Sequence, residues 1–194
     1  SNFDFGYFRK SSAFKEKKEN IIAWSVLAKY KANEITDIPK FKKTSQSGVT
    51  SKLNKLFMTS KHLKEDVEAL LFDNGIKFST LDRPIKTPVD GVSFWSNKNP
   101  AIILTSRYKR LDHFAFTLMH EIAHVYLHLS EEHKDASFYT NNSTDTFLEY
   151  EADAFARNTL IPQETWDRFV INTYVYSDEV IFNFSKNHDV HPAI

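Results

Sequence analysis

MHEIAHVYLH, residues 119–128, places three histidines and a glutamate in a run that is otherwise almost wholly apolar. Phe114, Phe116, Leu118, Met119, Ile122, Ala123, Val125, Leu127 and Leu129 are apolar almost all the way round a helical wheel, which marks a central, buried helix. Asp112 supplies an N-cap residue, so the helix is expected over about 112–129. A helix with one wet face needs no special account of its charges. This helix has no broad polar face, and ionisable groups inside a core must be paired or must coordinate something.

The spacing says what they coordinate. His120 and His124 are four residues apart, so their rings leave the same face of the helix, separated by a rise of about 6 Å. Two imidazoles so placed can share one metal ion. Glu121 stands about 100° further round, where a carboxylate reaches water at the open position of that ion, as in the H-E-x-x-H metalloproteases. At this chain's own His and Glu frequencies the pattern should arise by chance roughly 0.02 times. His128 continues the ladder and makes His124/His128 a rival pair, but the residue after His124 is Val125, which offers no base. His128 also lies about 12 Å along the axis from His120, too far to share its ion. It reads as a histidine at the helix C-terminus, where the dipole favours it. His113 has no metal partner at proper spacing.

A catalytic zinc takes three protein ligands and a water. With no Cys in the chain and no third His at a helpful position, the candidates for the third ligand are carboxylates, and FLEYEADAFA, residues 147–156, offers Glu149, Glu151 and Asp153. Glu149 and Asp153 share a face with Ala152 and Ala156, whose small side chains allow two helices to approach closely. We take Glu149 as the third ligand and Asp153 as the group that orients one ligating imidazole. Glu151 points the other way, beside Leu148 and Phe155, and remains the alternative ligand.

The rest of the chain sets bounds. Its 194 residues are enough for one good core, and 41% hydrophobic residues with 17 Phe give a globular composition. No run approaches the roughly 18 apolar residues of a membrane span, and the N-terminus has no signal-peptide pattern. The absence of Cys removes disulfide and thiol chemistry and fits a cytoplasmic protein. Residues 1–64 carry 14 Lys/Arg against 5 Asp/Glu, and residues 65–194 carry 11 against 20, so the two parts are +9 and −9. The basic residues are interleaved with helix-type apolar positions and form no tight cluster, so they read as solvated helical faces rather than a nucleic-acid surface.

Along the chain, periodicity predicts helices over 14–32, with an apolar stripe of Ile21, Ile22, Trp24, Val26, Leu27 and Ala28, then over 49–58 and 63–72, the last stopped by Asn74-Gly75. Residues 76–78, 92–95 and 101–105 read as strands, the latter two as a hairpin, with loop between 82 and 90. A polar loop over 130–145 separates the central helix from the next, which Ser143 or Asp145 would cap and which runs to Pro162. Further helices fall around 163–170 and 178–187. The fold class is α+β and mostly helical, with a small sheet of about three strands before the central helix. We expect one domain: a helical part (about 1–74), the sheet and ligand helices (about 75–162) and C-terminal helices (about 163–194).

FTLMHEIAHVYLH at 116–128, followed by LEYEADAFARNTLIP at 148–162, resembles the ImmA/IrrE family of metallopeptidases. The paired helices carry the resemblance more specifically than H-E-x-x-H alone. GVSFWSNKNPAIILTSRY resembles the family's preceding strands, and YFRKS and NHDVHPAI resemble segments of its larger members. The resemblance implies a zincin-like fold and one Zn²⁺ held by His120, His124 and Glu149. Glu121 would then be the base, and Asp153 stands where the family commonly has Asn or Asp. It further implies a protein or peptide substrate of the repressor or antitoxin kind, and no membrane. In the larger members a helix-turn-helix domain precedes the peptidase. No such motif occurs here, and the abrupt start at Ser1-Asn2 reads as part of a longer chain, so DNA contact would come only through an upstream domain. The competing expectation is a metal-binding sensor module of a transcriptional regulator with little or no proteolysis. Tyr126, Tyr139, Tyr150 and His133 are the candidates for a group that steadies the oxyanion.

Overall fold

A computed structural model describes residues 18–82, 89–106, 110–130, 137–139 and 146–194. The chain runs α1 (Lys18–Glu34), a 3₁₀ turn (Lys43–Ser45), α2 (Gln46–Thr59), α3 (Leu63–Asp73), β1 (Lys77–Leu81), β2 (Gly91–Ser96), β3 (Asn99–Thr105) and α4 (Leu111–Ala123). A π-helical turn (His124–His128), β4 (Ser137–Tyr139), α5 (Thr146–Leu160), α6 (Gln163–Asn172) and α7 (Asp178–His188) follow. The fold is α+β and mostly helical, as the periodicity predicts.

The sheet is mixed, in the order β1-β3-β2-β4. β3 lies parallel to β1 and antiparallel to β2, which is in turn antiparallel to β4. β3 is buried along its whole length because both faces are covered, which is why NPAIILT is almost continuously apolar rather than alternating. Ile102 and Leu104 face α4, α2 and α3. Ala101 and Ile103 face the other way, onto Ile21, Trp24, Ala28 and Ala32 of α1. The apolar stripe of α1 is therefore narrower than expected. Ile22, Val26 and Leu27 are exposed, since the sheet covers only the residues at its own three- and four-residue spacing.

Two connections position the site. Asn97, at φ 59°, turns the β2–β3 hairpin, a left-handed conformation that Asn tolerates better than most residues. Gly75, at φ 76°, ends α3 and lets the chain pass against Phe41, whose backbone nitrogen would lie 2.5 Å from any added Cβ. The Asn74-Gly75 stop is thus where the sequence places it.

Two local readings change. α4 begins at Leu111 with Arg110 in the N-cap position, and Asp112 sits inside the first turn, accepting a hydrogen bond from Arg110 Nε at 3.1 Å. The segment read as polar loop contributes a fourth strand, β4, whose three residues are too few to show a period. The caps proposed at Ser143 and Asp145 lie outside the described residues, as does the start of the helix expected from Phe14. Lys29, Lys40, Lys42, Lys43, Lys52, Lys55, Lys61 and Lys64 are exposed, as solvated faces should be.

Candidate metal centre

α4 is enclosed between the sheet and α5. Ala152 and Ala156 are completely buried, so α5 packs closely on α4 and brings its first turn over the histidines. Three side chains meet there. His120 Nε2 and His124 Nε2 are 3.0 Å apart. Glu149 spans them, with Oε2 at 3.2 Å from His120 Nε2 and Oε1 at 3.3 Å from His124 Nε2. His120 and His124 are buried, and Glu149 is 20% exposed. His120, His124 and Glu149 are, among the described residues, the one group of at least three His and acidic side chains that could hold a metal ion.

The donor set fits a small divalent ion. Zn–N and Zn–O bonds of about 2.0–2.1 Å in a tetrahedron put neighbouring donors about 3.3 Å apart, close to the separations found here. Glu149 Oε1 is buried and makes no hydrogen bond, although His124 Nε2 is nearby. A carboxylate oxygen in that position favours positive charge between itself and the imidazoles. The titration tendencies agree. Burial resists a charge on His120, but Glu149, Glu121 and Asp153 outweigh it and raise its pKa to about 9. Burial likewise resists the charge on Glu149, yet His120 and His124 bring it down to about 2. The pocket could hold a cation.

The outer nitrogens of both rings are engaged. His120 Nδ1 lies 2.8 Å from Asp153 Oδ1, the contact expected of Asp153. His124 Nδ1 lies 2.8 Å from His128 Nδ1, and His128 Nε2 is 3.0 Å from Glu151 Oε2. Phe138 of β4 stacks on the His124 ring, centroids 4.5 Å apart and planes 10° from parallel. With each Nδ1 occupied on the outside, each Nε2 is left facing the centre.

Glu121 is completely buried, with its carboxylate against the sheet. Its carboxylate rests on β2 at Gly91, where an added Cβ would stand 2.8 Å from Oε1. It lies close enough to His120 for its charge to favour the imidazolium.

The structure therefore brings His120, His124, Glu149 and Asp153 together, with Glu121 beside them. Glu151, the alternative ligand, is turned to His128 instead. His128 is buried and bonded at both nitrogens, so its place is not explained by the helix dipole alone. Its spacing carried a signal, since a third histidine at i+4 of a ligand can reach that ligand's ring, but the pairing with Glu151 has no mark in sequence. Phe138 and Gly91 were missed because each acts through a sheet register. Of the oxyanion candidates, Tyr126 is buried with its hydroxyl 2.9 Å from Ser45 Oγ, and its ring packs on Phe41. That takes its hydroxyl toward α2. Tyr150 is exposed beside Glu149, while His133 and the Tyr139 side chain lie outside the described residues.

Comparison with curated proteins returns no match. Residues 80–188, which contain β2 to β4 and α4 to α7, match the model of the IrrE N-terminal-like domain, Peptidase_M78. That span is more than half of the chain and includes every residue of the candidate centre, so the protein belongs to the ImmA/IrrE family and carries a metallopeptidase-type domain.

Proposed function

We propose that this protein is a zinc-dependent endopeptidase that cuts a regulatory protein of the repressor or antitoxin kind, with His120, His124 and Glu149 as the zinc ligands. The observation that carries this reading is the convergence of two imidazole Nε2 atoms and one carboxylate at separations of 3.0–3.3 Å. Zinc in such a site polarises a scissile carbonyl and acidifies water, to a pKa near 7 in known hydrolases. Glu121 takes the proton from the attacking water and delivers it to the leaving amine, the two roles of one general acid–base group. Its burial against Gly91 keeps bulk water from competing for that proton. Asp153 holds His120 with Nε2 inward.

An extended peptide substrate would gain main-chain hydrogen bonds by adding to an exposed edge of the sheet. The β2 edge is taken by β4, so among the described residues the outermost strand on that side is β4. An extended peptide laid along β4 would run beside Phe138 and the stacked His124.

The test is Glu121→Gln, assayed against a separately expressed candidate repressor or antitoxin. Zinc content should stay at one ion per chain while cleavage falls by at least roughly 10²-fold, the scale of general-base contributions. If the variant cleaves as well as the parent, Glu121 is not the base. If the parent binds zinc but the regulator is released intact, the sensor reading replaces the peptidase.

A further inference from the structure

We infer that His128 and Glu151 are positioning residues for the metal centre, forming a two-step hydrogen-bonded strut that holds His124 as an Nε2 ligand. The inference rests on the reading of His120, His124 and Glu149 as ligands. It assigns a function to the two ionisable residues around the site which that reading leaves unused.

With His124 as an Nε2 ligand, one order of protons is consistent with the geometry. His124 Nε2 faces His120 and Glu149, so with a metal ion held there its lone pair points inward and its ring proton sits on Nδ1. That N–H donates to His128 Nδ1 at 2.8 Å. His128 Nδ1 is then an acceptor, which leaves the His128 proton on Nε2, where it donates to Glu151 Oε2 at 3.0 Å. The opposite tautomer of His124 would put a hydrogen into the space between the ligands. Ligating histidines commonly donate their other ring N–H to a carboxylate or carbonyl, which fixes tautomer and ring orientation and raises basicity. His120 does so directly, through Asp153. On the His124 side the carboxylate stands one imidazole further away.

The helix is distorted where this strut attaches. His124–His128 form a π turn closed by Leu129 N donating to His124 O at 2.8 Å. Such a turn is rare, and is found mostly as single turns at functional sites. Here the His124 and His128 rings lie 4.9 Å apart, and Phe138 packs on both. Glu151 is half-exposed and projects from α5 on the opposite side from Glu149, so one helix supplies a ligand and, two residues on, the anchor for another ligand. An imidazole is a weaker acceptor than a carboxylate, and Glu151 compensates by drawing on the His128 proton.

The experiment measures Zn²⁺ affinity and Zn²⁺ release to a chelator for the parent, His128→Phe, His128→Asn, Glu151→Ala and the His128→Phe/Glu151→Ala double variant. His128→Phe keeps a ring to pack on Phe138 but offers no acceptor, and should bind zinc roughly 10- to 100-fold more weakly. His128→Asn returns an acceptor near the Nδ1 position and should recover most of that loss. Glu151→Ala should weaken binding by a smaller factor, and should cost nothing further in the His128→Phe background, because its effect passes through His128. Zinc binding by His128→Phe equal to the parent overturns the strut. So does His128→Asn binding as poorly as His128→Phe, or Glu151→Ala costing the same in both backgrounds. Should His128→Phe fail to fold, Glu151→Ala in the parent and His128→Asn backgrounds decides, since Glu151 is half-exposed: the strut predicts weaker binding in the parent, and unchanged binding there overturns it. A parent protein that takes up no zinc overturns the ligand assignment itself, which separates that failure from failure of the strut.

Discussion

Gly91 and Glu121 are in contact across the boundary between sheet and helix: a Cβ at residue 91 would lie 2.8 Å from Glu121 Oε1 and 2.7 Å from a Leu104 methyl carbon. Only a glycine leaves room for the carboxylate where it stands. Gly91→Ala forces Glu121, Leu104 or the strand to shift, and a misplacement of about 1 Å at a reacting group can cost roughly 10²-fold in rate. We predict cleavage reduced by about 10- to 100-fold with zinc stoichiometry unchanged, because the atoms nearest an added Cβ belong to Glu121 and Leu104 rather than to His120, His124 or Glu149. Overpacking should also lower stability by about 1–3 kcal/mol, readable in a denaturant titration. Loss of zinc together with activity would show that the strand supports the ligands as well as the base.

The helix pair and the meeting of His120, His124 and Glu149 were legible in the sequence because local spacing fixes them. An i, i+4 pair on one helix and a carboxylate among alanines on the next need no knowledge of the rest of the chain. Gly75 was legible for the same reason, since a helix stop is a local event. Phe138 was not, because its stacking on His124 depends on pairing with Ser93 across β2 and β4, a register that three residues cannot announce. The bonding of His128 was hidden differently. On an ideal α-helix its spacing from His124 is plain, but the π turn sets the ring contact, and Glu151 arrives from another helix. The exposed side of α1 shows the limit of a stripe read from mixed three- and four-residue spacing, since Val26 and Leu27 lie outside the rows that the sheet covers.

Gly75 gives a prediction about folding rather than chemistry. It has φ 76°, and an added Cβ would meet backbone atoms of Phe41 and Lys40 at 2.5–2.7 Å. Backbone cannot step aside as a side-chain tip can. Gly75→Ala should therefore destabilise the protein by more than the roughly 1 kcal/mol of an unfavourable φ alone, with a thermal midpoint lower by several degrees. A change below about 0.5 kcal/mol would mean that the 40–41 segment moves freely away from α3.

Asp153 offers a test of the other ligand's support. Its Oδ1 holds His120 Nδ1 at 2.8 Å, and it also lies within 4.0 Å of Arg157. Asp153→Ala should weaken zinc binding by about 10- to 100-fold with little effect on the fold, because the side chain is 42% exposed. Asp153→Asn, which keeps an acceptor, should lie between the two. Equal affinities across the three proteins would leave His120 oriented by packing alone.

Protons and metal must compete for the same nitrogen. With Glu149, Glu121 and Asp153 outweighing burial, metal-free His120 keeps its proton up to about pH 9, whereas Glu149, held at about 2, is already ionised at neutral pH. Zinc binding at pH 7.5 should therefore release about one proton from His120, and apparent affinity should rise roughly tenfold per pH unit below 9 from this group. Calorimetry in two buffers of different ionisation enthalpy counts the protons directly. The same shifts set the stability of the metal-free protein. A raised His120 pKa stabilises the fold fully below its ordinary 6.5, and this is lost as pH climbs through about 9. A depressed Glu149 pKa stabilises it above the ordinary 4.5, and this is lost as pH falls through about 2. From these two groups, metal-free protein should melt highest between about pH 4.5 and 6.5 and lose midpoint toward pH 9. Zinc-loaded protein should keep its midpoint over that alkaline range, because the ion then supplies the positive charge that the carboxylates require. Zinc uptake at pH 7.5 without proton release would place the proton elsewhere than on His120.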